Sequence, residues 1–183
     1  MNRFWLAAAF LAPITAWAAD KPPIIPQRDV DIQYQMASPQ PGAPSLLQRM
    51  RWSVTTGRLR VDPPTPGLYM IVDYQGHRMQ VVKPSDHAVL DMATAGPGLP
   101  GAAAGSYIQM GADQVAGLAC TNWRTEDAAG QETVLCLTAD GVMLRASHGD
   151  RVLLQASTVT YGPQDAAAFT APDGFRHVTA DKP

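Results

Sequence analysis

The sequence is short of cysteine, of charge and of long apolar runs, and each shortage closes a class of function. Cys120 and Cys136 are the only two cysteines in 183 residues, so no thiolate cluster is left for a metal once they pair. Charged residues make up 16% of the chain and neither sign gathers into a run, which argues against nucleic acid as a partner. The longest apolar run, from Phe4 to Ile14, is about half of the roughly 20 residues a spanning helix needs, so no transmembrane anchor is expected. There is no internal repeat and no GK[ST] phosphate cradle. His77, His87, His148 and His177 fall at turns and element ends, and no two share the helical spacing of a zinc site. Nothing marks a nucleophile, a base and an orienting group, so the expectation is a protein that is not an enzyme and carries no cofactor or metal.

What is present begins with an export signal. Arg3 gives a positive start, Phe4 to Ile14 an apolar core, and Ala16-Trp17-Ala18 the small residues that a signal peptidase needs, with cleavage expected near Ala18. No Cys stands directly after that cleavage region to carry a lipid anchor, so the mature chain should be periplasmic or secreted. Removing 18 of 183 residues leaves enough chain for one well-buried core. Residues 19–27, rich in Pro, read as an extended lead-in with order beginning after it, 28–178 as a single domain, and 179–183 as a tail.

The domain reads as strands. Val30, Ile32, Tyr34 and Met36 alternate with Asp29, Asp31, Gln33 and Gln35, the period-2 pattern of a half-buried strand. Met50, Trp52 and Val54 alternate with Arg49, Arg51 and Ser53, and Leu59 and Val61 alternate with Arg58 and Arg60. Leu68 to Tyr74 is apolar on both sides and should be central and covered on both faces. Further strands are expected at Arg78–Lys83, Ala88–Met92, Tyr107–Met110, Val115–Arg124, Thr133–Thr138, Val142–Ser147 and Arg151–Tyr161. Only Gln164 to Phe169 reads as helical, as a short turn opened by Pro163, while Ala95 to Gly105 is a Gly/Pro-rich loop or lid. The short connections give an antiparallel meander.

In an oxidising compartment the two cysteines should pair. A hairpin that set them directly opposite one another would turn at residue 128, inside a polar stretch, and the bridge should stabilise by roughly 3 kcal/mol. The spacing and setting of the pair lack what makes a thiol reactive, so it reads as a staple. Met36, Met50, Met70, Met79 and Met92 are scattered over strands, where adaptable core packing explains them better than copper does.

From Ala112 onward the sequence shows Asp113-x-Val115-Ala116-Gly117-x-x-Cys120-x-x-Trp123, then Cys136-Leu137-Thr138-x-Asp140-Gly141-Val142-x-Leu144-Arg145. Val159-x-Tyr161-Gly162-Pro163-Gln164-Asp165, Phe169-x-x-Pro172 and Gly174-Phe175 follow. Over about 65 residues this order resembles an uncharacterised family of exported bacterial domains related to the LolA-like lipoprotein-carrier superfamily. The resemblance implies a mainly β fold, a curved and incompletely closed antiparallel half-barrel with an apolar concave face. On that fold, Met50, Trp52, Tyr69, Ile71, Met79 and Val81 are the expected lining for an apolar ligand such as an acyl chain, lipid or lipoprotein-like group. The alternative is an envelope protein–protein interaction module, with Arg49, Arg51, Arg58 and Arg60 as the face that docks an acidic partner.

Overall fold

The computed structural model describes residues 21–40, 42–94, 106–126 and 130–179. The export signal and the whole of the Ala95–Gly105 loop lie outside the described residues. The described residues form twelve strands: β1 (Val30–Met36), β2 (Leu46–Ser53), β3 (Arg58–Asp62), β4 (Tyr69–Asp73), β5 (Arg78–Lys83), β6 (Ala88–Ala93), β7 (Ile108–Val115), β8 (Leu118–Glu126), β9 (Glu132–Leu137), β10 (Met143–His148), β11 (Arg151–Tyr161) and β12 (Arg176–Thr179). They make one open sheet in the order β12-β6-β5-β4-β3-β2-β1-β11-β10-β9-β8-β7, antiparallel except where β12 runs parallel to β6. The described helical structure is two short 3-10 turns, Pro84–Asp86 and Ala166–Phe169. This is the mainly β, incompletely closed architecture expected.

Residues directly opposite one another in a ladder share a face, so the register sorts the side chains. Val30 and Ile32 on β1 stand opposite Trp52 and Met50 on β2, and these stand opposite Leu59 and Val61 on β3. The same face continues through Val72 and Met70 to Met79 and Val81. On the other side of β1 it runs through Ala156 and Leu154 of β11 to Ala146, Leu135 and Trp123. Leu59 and Met143 border the same cavity although β3 and β10 are four places apart in the sheet, so this face is the inside of a curve.

The outer face is unequal along the sheet. Over β4 to β6 it is apolar, with Ile71, Val82 and Val89 buried under Ala171 and Phe175. That cover explains why β4 is apolar on both sides: Ile71 is 2% exposed outward and Val72 is 6% exposed inward. Over β7 to β10 the outer face carries the disulfide and a polar cluster in which Arg145 donates to Asp113, which also accepts from Asn122.

The strands depart from the sequence reading in four places. Val115 to Arg124 is not one strand, because a hairpin turn at Ala116-Gly117, both at positive φ (50° and 76°), divides it into β7 and β8. A non-glycine residue there is costly, which hid the turn. Val54 leaves the strand pattern in the β2–β3 turn, 48% exposed, with its N–H donating to Asp29 Oδ1 at 2.7 Å. β12 has no counterpart in the sequence reading; it forms by adding the chain end to the β6 edge. Cys120 and Cys136 are bridged, with Cα atoms 5.5 Å apart, but they are diagonal neighbours: Cys136 stands opposite Asn122, so the hairpin turns one residue later than 128. Strand twist brings one diagonal close enough for this link.

Candidate functional site

The inner face holds the site, and the lead-in lies in it. Pro22 is buried and Ile24, Ile25 and Pro26 are half-buried, so order starts well before β1. Ile24 packs on the cluster of Trp123, Leu135, Leu137 and Ala146, while Ile25 packs on the central cluster that contains Ile32, Met50, Trp52 and Tyr74. The segment therefore bridges the two wings of the curved sheet from inside. Its Pro residues lack N–H donors and favour an extended backbone, which suits a chain that joins no ladder.

Tyr34, Met50, Trp52, Leu59, Tyr74 and Met143 form the walls of the groove, with Ile24, Ile25 and Pro26 as its cover and Gly141 at its rim. The space left between cover and wall is about 20 Å³, room for roughly one water-sized group. Trp52 and Tyr74 meet edge to face with ring centres 5.6 Å apart, a favourable aromatic arrangement. The Tyr34 hydroxyl donates to the Met143 carbonyl at 2.6 Å, tying β1 to β10 across the groove. Burial raises the pKa of both phenols, Tyr74 to about 12, so each stays neutral and the groove carries no charge on its walls. The Trp52 indole N–H is buried with no acceptor among the described residues.

The exit of the lead-in is pinned at the turn after β9. The Gln27 N–H donates to the Asp140 carbonyl at 2.9 Å, and the Arg28 guanidinium pairs with the Asp140 carboxylate at 2.8 Å and stacks on Tyr161. Burial opposes the charge on Asp140, but hydrogen bonds from Thr138 and Arg28 outweigh it and hold the carboxyl below its usual range. Gly141 permits the close approach: its φ is +88°, and a Cβ there would stand 2.5 Å from the Ile25 carbonyl oxygen.

The six residues expected to line the concavity divide between the faces. Met50 and Trp52 are in the groove wall, and Met79 and Val81 share the inner face farther along the sheet. Tyr69 and Ile71 point outward: Ile71 stands opposite Arg60 and Gln80, and Tyr69 stands opposite Val82. A strand apolar on both sides does not reveal which set faces in, and the register decides it. Tyr34, Leu59, Tyr74 and Met143 are wall residues outside the expected set, although Tyr34 is in phase with Val30 and Ile32. Ile24 and Ile25 gave the missed signal, two large apolar residues within a segment read only for its Pro.

Arg49, Arg51, Arg58 and Arg60 do share one face, the outer one, but they are engaged within the chain. Arg49 pairs with Asp31, Arg51 with Asp62 at 2.9 Å, Arg60 with Asp62 at 2.8 Å and Arg58 with Asp73 at 3.3 Å. Arg58 and Arg60 also donate to the carbonyls of Phe169 and Ala168 at 3.1 Å each, and Arg60 stacks on the Tyr69 ring. Two of the four therefore anchor the C-terminal segment.

An open, curved antiparallel sheet with an apolar inner face is the architecture that the resemblance implied, and solved structures share it. The sequence matches no protein-family model and no curated protein. An uncharacterized conserved protein from Thermus thermophilus superposes with a TM-score of 0.59 at 13% sequence identity, covering 84% of this chain and 91% of that one. MucB superposes with a TM-score of 0.53 at 11% identity over 82% of this chain and 59% of its own length. The Pseudomonas aeruginosa MucA/MucB complex gives 0.52 at 14% identity over 84% of this chain and 59% of that chain. The chain thus spans well under two thirds of the MucB chains, and at these identities the likeness is one of fold. No helix among the described residues is long and apolar enough to cross a membrane.

Proposed function

We propose that this chain is an exported, non-enzymatic binding module of the cell envelope, which holds an apolar group in the groove walled by Trp52, Tyr74 and Met143. The observation that carries the reading is the cover. The described groove wall is apolar and uncharged, and what lies over it is a segment outside the ladder, tied at its exit by the Gln27 hydrogen bond and the Arg28–Asp140 pair. Apolar walls that combine Met with rigid aromatics suit ligands of variable shape. The signal-like Arg3 to Ala18 segment and the oxidised cysteine pair support export to the periplasm.

A second reading, docking of an envelope protein, is favoured by one observation: two of the similar structures are complexes of MucB with MucA. The Arg face is the weaker place for such docking, because all four guanidinium groups already have carboxylate partners.

Expression of the mature domain into the periplasm, organic extraction and mass spectrometry of the extract test the first reading, together with titration by a fluorescent fatty acid. Co-purifying lipid or saturable binding at the groove is expected. A clean extract with no binding, alongside a reproducible cross-linked protein partner lost on changing Arg49 and Arg51 to Glu, would replace it with the second.

A further inference from the structure

Resting on the groove as the binding site, we infer that its ligand is an extended, apolar, proline-containing segment of another polypeptide, for which residues 22–26 of this chain are the resident stand-in. The cover shows what the groove accepts. Ile24 reaches the cluster of Trp123, Leu135, Leu137 and Ala146 while Ile25 reaches the central cluster, two contacts that a backbone with side chains on both sides makes at once. Gly141 is fitted to a backbone: an added Cβ would meet the Ile25 carbonyl oxygen at 2.5 Å and its carbon at 2.9 Å.

The third observation is independent of the cover. Trp52 lines the groove, is 6% exposed, and its indole N–H is buried without an acceptor among the described residues, beside a space of about 20 Å³. A buried donor left unpaired is costly; the resident segment leaves it so, and a peptide ligand that sets a carbonyl in this space gains an acceptor that neither the stand-in nor an all-carbon chain supplies. Among the described residues the backbone of the stand-in makes one hydrogen bond, at Gln27, beside the Arg28–Asp140 pair at its exit, so residues 22–26 themselves are held by apolar packing that a similar segment can replace, and Pro limits the entropy lost on docking.

The test uses the full mature chain and a labelled synthetic peptide of sequence KPPIIPQ, with a fluorescent fatty acid as the second probe. Changing Ile24→Ser and Ile25→Ser releases the resident segment. The peptide should then bind at least about tenfold more tightly than to the unaltered chain, where a tethered competitor acts at roughly millimolar effective concentration. Adding Gly141→Ala should abolish peptide binding and spare any fatty-acid binding. Adding Gly117→Ala, whose Cβ would meet nothing within 4 Å, imposes similar backbone strain and should spare both. On the unaltered chain, excess peptide should speed exchange of the Gln27 amide, a reading that needs no variant. Binding of fatty acid without peptide overturns the peptide inference and leaves the groove reading standing. Binding of neither probe overturns both, and a dimer formed by exchange of the segment between copies overturns the inference by naming a second copy as the occupant.

Discussion

Two segments that flank the sheet, residues 22–26 and 165–179, each cover one of its faces, and they do so by different means. The C-terminal segment, from Asp165 to Thr179, lies on the outer face and is built in. Phe169 is fully buried, Arg58 and Arg60 donate to the carbonyls beside it, Asp165 caps the 3-10 turn at the Ala167 N–H, and β12 extends the sheet. The N-terminal segment lies on the inner face with half-buried Ile24 and Ile25 and, among the described residues, is anchored at its exit alone, by the Gln27 hydrogen bond and the Arg28–Asp140 pair. The outer cover completes a core, whereas the inner cover occupies a groove. The lesson is that buried apolar area alone does not tell a structural segment from an exchangeable one; the polar anchors do.

The contrast can be broken most forcefully at Phe169. Phe169→Ala should cost about 3–5 kcal/mol, read in urea unfolding, because a fully buried ring leaves a cavity under the outer cover. Ile25→Ala should cost less than about 2 kcal/mol, since Ile25 is half-buried at the groove mouth. Equal losses at the two positions would erase the distinction. Next in size is the disulfide: Cys120→Ser with Cys136→Ser should cost about 3 kcal/mol in the same assay and leave the cover at both ends in place.

Arg60→Ala sharpens the comparison at the anchors. It removes the Asp62 pair, the bond to the Ala168 carbonyl and the stack on Tyr69, and should cost about 1.5–3 kcal/mol and raise amide exchange selectively in residues 166–179. The smallest effect is in pH. Burial works against the Asp62 charge, but Arg60 and Arg51 prevail and lower its pKa. The unfolded chain therefore binds more protons on acidification, and the stability from Asp62 is complete above the ordinary carboxylate range and lost as pH falls from about 5 through the lowered value. Asp62→Asn should flatten the acid side of the stability profile, and an unchanged slope would show that the pair contributes nothing.

Much of the sheet was legible from alternation, as β1 shows, where Val30, Ile32 and Tyr34 all turned out buried on one side. The disulfide was legible from composition and export, though not its diagonal register, since spacing gives a pairing only if the turn is known. The site was legible in part. Trp52 and Met50 were expected in the groove and lie there because their strand has one polar and one apolar side, whereas Tyr69 and Ile71 were expected there and point outward, because a strand apolar on both sides does not show which side faces in. The inner cover escaped because Pro marks where a ladder cannot form and says nothing about whether the segment packs. The Arg face misled for a related reason: exposed-looking alternation does not show that Asp62, Asp73 and the Phe169 carbonyl sit within reach.

The occupied groove is the claim on which the account turns, and one measurement reads it directly: nuclear Overhauser contacts of the Gly141 α protons in the resting, unliganded chain. Contacts to Ile25 are predicted, given how close the two backbones approach. Gly141 protons that see only their own turn, with the residue 22–26 resonances narrow and unprotected, would contradict it.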